Sequence, residues 1–159
     1  MGVLTPQIAL ARISRARKCL GHHTVYALSK GGYPTWAPGD PSDCSGWISW
    51  LLQTKREPKP GRAFWIETTA IYHDAIGAES VFVRLKAPEP GCLVVYPDHG
   101  SSQGHIGLVT NPSAGKLIGI DCGHGNYVHH GDAIREHELT YFETNSHSIF
   151  VALEQDLAA

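Results

Sequence analysis

Cys44 follows a loop rich in glycine and proline and stands where a helix should begin. It heads the series Cys44, Trp47, Ile48, Leu51, Leu52, which recurs at i, i+3, i+4, i+7, i+8. A thiol in the first turn of a helix feels the positive end of the helix dipole and unpaired N–H groups. Both favour the thiolate, the nucleophilic form. A buried structural cysteine would suit the same position, since free cysteines are commonly buried. His105 favours the catalytic reading. It opens the segment His105–Val109, and strand alternation puts His105, Gly107 and Val109 on one face. In Leu117–Cys122, Gly119 and Asp121 share a face, opposite Ile118 and Ile120. Paired as a hairpin, the two segments would form a glycine-rich patch beside a histidine and an aspartate, with room for the helix N-terminus that carries Cys44. A Cys–His pair oriented by a third polar group is the minimal activated thiol. His105 would take the thiol proton, and Asp121 would hold the imidazole tautomer and stabilise its charge.

The elements that must position these residues can be read from periodicity. Thr5 and Pro6 read as N-cap and first position of a helix, with Ala9, Ile13, Ala16 and Leu20 at helical spacing and Gly21 as its end. The basic stretch Arg12–Lys18 reads as a solvated face of that helix. Residues 29–41 form a loop of Gly, Pro and aromatics. The second helix starts at Ser42 or Asp43 and has stopped by Pro58, Pro60 and Gly61. A third helical stretch carries Thr68, Ile71, Tyr72 and Ala75 on one face, with Gly77 as its C-cap. Beyond Gly77 the period falls to two: Val81, Val83 and Leu85, then Cys92–Tyr96, His105–Thr110, Leu117–Cys122 and Ser148–Leu153, separated by turn-rich stretches. Helices first and strands second is the α+β pattern. It predicts N-terminal helices packed on an antiparallel sheet of five to six strands. No repeat or internal boundary interrupts it, so residues 1–159 read as one domain.

Composition limits the function classes. Apolar residues make up 42% and charged residues 18% of the chain, which is ordinary globular composition and excludes general disorder. Thirteen basic against fifteen acidic residues argue against a nucleic-acid partner, which selects for a basic stripe. No apolar run approaches the length of a membrane span, and residues 1–20 lack the apolar core of a secretory signal. The expectation is synthesis in the cytoplasm with free thiols, and release or export by another device if the protein acts outside. The four cysteines form no CxxC pair.

The motifs also carry a family resemblance. Asp43-Cys44-Ser45-Gly46-Trp47, preceded by Tyr26 and Gly31-Gly32, resembles the nucleophile motif of the NlpC-type cell-wall peptidases, papain-like cysteine hydrolases of bacteria and their phages. Pro90-Gly91-Cys92-Leu93-Val94-Val95-Tyr96 and Gly104-His105-Ile106-Gly107-Leu108-Val109 are similar to the family's next two strands. The resemblance runs from about Tyr26 to about Asn126. It implies a papain-like core that hydrolyses amide bonds in peptidoglycan stem peptides through an acyl-enzyme, as an endopeptidase or amidase, with no metal and no cofactor. By position it implies Cys44 as nucleophile and His105 as base. The family's third residue is most often His. Asp121 stands on the matching strand, with His124 in reserve. Tyr26 would line the oxyanion site, with Tyr33 in reserve, and Asp43, Ser45, Tyr33 and Trp36 would contact substrate. Cys92 departs from the family, which usually has an acidic residue there. A domain of this size without wall-binding repeats resembles a phage lysis or tail enzyme or a secreted antibacterial effector. A holin, tail or immunity protein would be its partner.

Three other readings compete. Ten histidines and the pair Cys122/His124 raise a zinc site, with His22-His23, His99, His129-His130 and His137 as further ligands, but no HExxH or paired CxxC spacing is present. The aromatics Tyr33, Trp36, Trp47, Trp50 and Trp65 could line a groove in a non-catalytic wall-binding module, although Trp47 and Trp65 read more naturally as core. The same thiol chemistry could also serve a protein deamidase or acyltransferase.

Overall fold

In the computed structural model, which describes residues 3–56, 66–77, 81–113 and 115–158, helices precede strands as expected. Trp65 and the 58–62 stretch lie outside the described residues. Helix α1 (Pro6–Arg17) starts after Thr5 and buries Ala9, Ile13 and Ala16. Leu20 lies past its end, in the turn that closes at Gly21. Helix α2 (Cys44–Leu51) is capped by Asp43, and α3 (Thr68–Ile76) by Glu67. Gly77 follows α3 in an extended conformation, so it ends the helix without the left-handed turn that glycine uniquely permits.

Six strands follow: β1 (Phe82–Leu85), β2 (Leu93–Tyr96), β3 (His105–Asn111), β4 (Ile118–Cys122), β5 (Ile134–Glu138) and β6 (Ile149–Leu153). They form one open sheet in the order β1-β6-β2-β3-β4-β5, with every neighbouring pair antiparallel. Two short helices that periodicity did not reveal interrupt the strands: α4 (His124–His130) between β4 and β5, and α5 (Thr140–Thr144) between β5 and β6. In β1 the residue facing the main core is Phe82, while Val83 stays half-exposed on the opposite face. Among the described residues no helix is long and apolar enough to cross a membrane.

One sheet face carries Leu93, Val95, Ile106, Leu108 and Ile120. It packs against Trp47, Ile48 and Leu51 of α2, all fully buried. At about 1.5–3 kcal/mol per buried large apolar side chain, this contact anchors the helix that presents Cys44. The other face carries Val94, Val109, Leu117 and Leu139, and is closed by Phe142 of α5. The glycine patch expected to receive α2 belongs to this second face. A Cβ on Gly107 would meet Phe142 and Asp121 at 3.3–3.4 Å, and one on Gly119 would collide with Leu139 and the Leu108 carbonyl. The missing side chains make room for α5 and Leu139, while α2 packs on the opposite, apolar face.

The basic residues of the stretch Arg12–Lys18 form a solvated face only at Arg17 and Lys18. Arg12 is buried, paired with the buried Asp156, and reaches the Gly91 carbonyl at 3.4 Å. Arg15 donates to the Leu51 carbonyl at 2.8 Å, and Arg17 pairs with Glu136 at 2.9 Å. These contacts tie α1 to α2, to β5 and to the turn after β6.

Candidate active site

The first turn of α2 is held by a clamp. Asp43 Oδ1 accepts from the Gly46 N–H at 2.7 Å, the N-cap bond expected of an aspartate there. Its Oδ2 accepts from the Ser29 N–H at 2.8 Å and from Arg56 Nη2 at 2.9 Å. Arg56 Nη2 also donates to Ser45 Oγ at 2.9 Å. Gly46 is required because any Cβ would strike the Lys30 carbonyl, which lies against the helix start. Asp43 and Ser45, expected to contact substrate, are thus buried and engaged with Arg56 and the backbone.

Cys44, the first residue of α2, meets His105, the first residue of β3. The two side chains lie close enough to interact electrostatically. The other end of the imidazole is fixed by Asp121: His105 Nε2 donates to Asp121 Oδ2 at 2.7 Å. An ionised carboxylate only accepts, so Nε2 carries a proton. Burial would push the imidazole's pKa down. The hydrogen bonds to Asp121 and Cys44 and the negative charge at both outweigh it and push it up to about 10. Phe142 stacks on the ring at 5.0 Å and 18°, and Tyr96 packs on Phe142 at 5.3 Å. His105 is therefore held at its edge and across its face.

Asp121 is buried and accepts three side-chain hydrogen bonds. Besides His105, His137 Nε2 donates to Oδ1 at 2.6 Å and Asn126 Nδ2 donates to the same oxygen at 2.9 Å. Burial alone would raise its pKa, but the hydrogen bonds and positive charge of His105 and His137 hold the carboxylate well below its usual range. His137, weighed on sequence only as a metal ligand, and Asn126 are the site residues that periodicity missed. His124, the reserve for Asp121, is not hydrogen-bonded to His105. Its ring packs edge-on against Tyr26 at 5.6 Å.

Tyr26 reaches the site from the loop before α2, where an isolated parallel bridge pairs it with Ser42. Its hydroxyl lies near Cys44. Burial, then the negative charge of Cys44, Asp43 and Cys122, raises its pKa well above the usual phenol value. It therefore keeps its proton and stays a donor. Tyr26 and His105 open onto a cleft of about 360 Å³, further lined by Asp121, Gly123, His124, Asn126, His129, His130, Arg135, His137 and Tyr141. That volume falls in the range of small-ligand sites. Tyr33 and Trp36 do not line it. Trp36 is buried, donates from Nε1 to the Asp40 carbonyl at 2.9 Å and packs on Trp50. The Tyr33 N–H donates to Ser49 Oγ at 3.2 Å.

The other three cysteines are fully buried and free of disulfides. Burial raises the Cys19 thiol, pushes Cys92 up to about 12 and holds Cys122 well above its usual value. Cys122 Sγ donates to the Ser42 carbonyl at 3.6 Å. Among the described residues no group of three or more His, Cys, Asp or Glu side chains is arranged to hold a metal. No protein-family model matches the sequence, and a search of curated proteins returns no match.

Proposed function

We propose that the protein is a cysteine hydrolase of the NlpC type, with a papain-like core, that cleaves amide bonds in peptidoglycan stem peptides. The observation that carries the proposal is the continuous line Cys44–His105–Asp121, with the thiol on the first residue of a helix and the imidazole fixed at Nε2. The motif Asp43-Cys44-Ser45-Gly46 supports the family assignment. So does the pairing of Gly107 with Asp121 across β3 and β4, with Asp121 beside His105.

The Cys44 sulfur attacks the scissile carbonyl carbon and forms a tetrahedral oxyanion. Two donors face that oxygen: the Cys44 N–H, one of the first-turn groups without an intrahelical partner, and the Tyr26 hydroxyl. His105 passes its proton to the leaving amine as the C–N bond breaks, leaving a thioester. It then takes a proton from water, which attacks the thioester and releases Cys44. Asp121 keeps the imidazole oriented through both steps and balances its charge.

Mass spectrometry of purified peptidoglycan after incubation with wild type and Cys44→Ala tests the reading. New paired amine and carboxyl ends made by wild type alone are expected, and they identify the bond cut. Intact wall with both proteins, each shown to be folded, overturns the wall reading. Ammonia release from a glutamine-bearing protein would then place the same chemistry in a deamidase.

A further inference from the structure

Histidines meet aromatic rings in several places, and one contact differs in kind. His124 and His73 meet Tyr26 and Tyr72 edge-on, at 68° and 82°. His105 instead lies nearly flat on Phe142, with the planes 18° apart and the centroids 5.0 Å apart. The face of a phenyl ring carries negative charge density and its edge positive. A cation over that face and within about 6 Å of the centroid is attracted. The imidazole of His105, whose pKa is raised to about 10, is such a cation at neutral pH.

The fold holds the phenyl ring in place. Helix α5 is a single turn, yet Phe142 is buried and its backbone is fully engaged. Its N–H donates to the Leu139 carbonyl at 3.1 Å, and its own carbonyl accepts from the Asn145 N–H at 3.3 Å and from Ser148 Oγ at 2.7 Å. Both ends of α5 are tied to Leu117, next to β4. The Leu139 N–H donates to the Leu117 carbonyl at 2.7 Å, and Glu143 Oε1 accepts from the Leu117 N–H at 2.8 Å. Tyr96 of β2 packs on Phe142 at 5.3 Å. Other titratable groups face His105 as well: Cys44 on α2, Asp121 on β4 with His137 of β5 behind it, Tyr96 on β2, and Tyr26 from the loop before α2. His124, Arg135 and Tyr141 line the cleft beyond them. A substitution of Phe142 leaves all of these side chains chemically unchanged.

We infer that Phe142 is a positioning residue of the Cys44–His105 pair: its ring keeps the imidazole flat and favours its charged form, and that charge favours the Cys44 thiolate. The inference rests on the hydrolase reading and deepens it, giving α5 a part in the chemistry although Phe142 acts only through His105.

The test compares Phe142→Leu, which keeps the position apolar and removes the π face, with Phe142→Tyr, which keeps the face. Followed by NMR through a pH titration, the His105 imidazole should titrate about half a unit to one unit lower in Phe142→Leu and as wild type in Phe142→Tyr. Alkylation of Cys44 by iodoacetamide at neutral pH should slow about threefold or more in Phe142→Leu alone. On a soluble stem peptide kcat should fall with KM unchanged, and Phe142→Tyr should restore it. A role in packing alone would lower the melting temperature of Phe142→Leu and leave titration and alkylation as in wild type, and that result overturns the inference. Equal losses in Phe142→Tyr and Phe142→Leu also overturn it. Should Phe142→Leu not fold, Phe142→Met, closer to the ring in volume, takes its place. Titration and alkylation need no substrate. Both shifts without any wall cleavage would therefore support the inference and count against the hydrolase reading alone.

Discussion

His137 Nε2 lies 2.6 Å from Asp121 Oδ1, on the carboxylate oxygen opposite the one that holds His105. Asp121 is thus the centre of a His–Asp–His arrangement that joins β3, β4 and β5 at one level of the sheet. Its rotamer is set from both sides, and so is the angle at which it meets His105. We expect His137→Ala to lower kcat about tenfold, the effect of losing one charge-assisted hydrogen bond of roughly 1.5 kcal/mol. His137→Gln, which keeps an N–H donor, should restore most of the rate. Steady-state kinetics beside thermal melts separate this from a simple loss of stability.

The members of the line itself should differ in a graded way. Cys44→Ala should abolish hydrolysis with the melting curve unchanged, and His105→Ala should remove at least about a thousandfold, as loss of a triad base does elsewhere. Asp121→Asn should slow the enzyme and also destabilise it by about 2 kcal/mol, because an amide cannot accept from three donors at once. Kinetics and urea titration on the same three proteins check both effects.

The protonation of His105 predicts a pH profile for stability. Its folded pKa of about 10 lies above the usual imidazole value of 6.5, so its contribution is complete below pH 6.5 and is lost as pH rises through about 10. Asp121 has the opposite sign: its contribution is present above its unfolded value of 3.8 and is lost as pH falls toward its depressed folded value. The pair therefore stabilises most between about pH 4 and 6.5. The gap in melting temperature between wild type and His105→Gln should be widest there and should close toward pH 10.

Arg56 is predicted to matter although it does not touch the reacting atoms. Its removal leaves Asp43 buried with an uncompensated charge at the start of α2. Arg56→Ala should cost about 3 kcal/mol, the usual result of breaking a buried pair from one side. It should also slow alkylation of Cys44 by iodoacetamide. Arg56→Lys should recover only part of either loss, since one ammonium cannot reach Asp43 and Ser45 from one nitrogen and the Lys30 carbonyl from another, as the guanidinium does.

Glycine-to-alanine changes should separate crowded from open positions. Gly119→Ala drives a methyl into the Leu108 carbonyl and Leu139, and should cost about 2 kcal/mol or more. Gly125 in α4 has nothing within 4 Å of the corresponding position, so Gly125→Ala should be neutral or slightly stabilising. Chemical denaturation of both variants is the check.

The parts of this molecule with one apolar face were legible in the sequence. The α2 series Cys44–Leu52 and the strands β2, β3 and β4 all have such a face. Strand β5 has none, because Ile134-Arg135-Glu136-His137-Glu138 alternates charge with charge. That is how an exposed sheet edge is kept from pairing with another chain, and it concealed His137. Helix α5 has five residues and one anchor, Phe142, too few to display a period. Arg12 is a different case. It lies three residues after Ala9 and four before Ala16, so helical spacing alone puts it on the buried face. Its partner Asp156 is 144 residues away, and no local pattern points to it.

Three of the four thiols are fully buried with raised pKa values, and the fourth, Cys44, is buried beside Tyr26 and His105, which line the cleft. The native chain is accordingly a one-handle reagent. A chloroacetamide dye should attach once per folded molecule and four times after denaturation. The same burial lets the protein enter an oxidising space without internal disulfides scrambling its fold, so its vulnerability to oxidants is concentrated at a single sulfur.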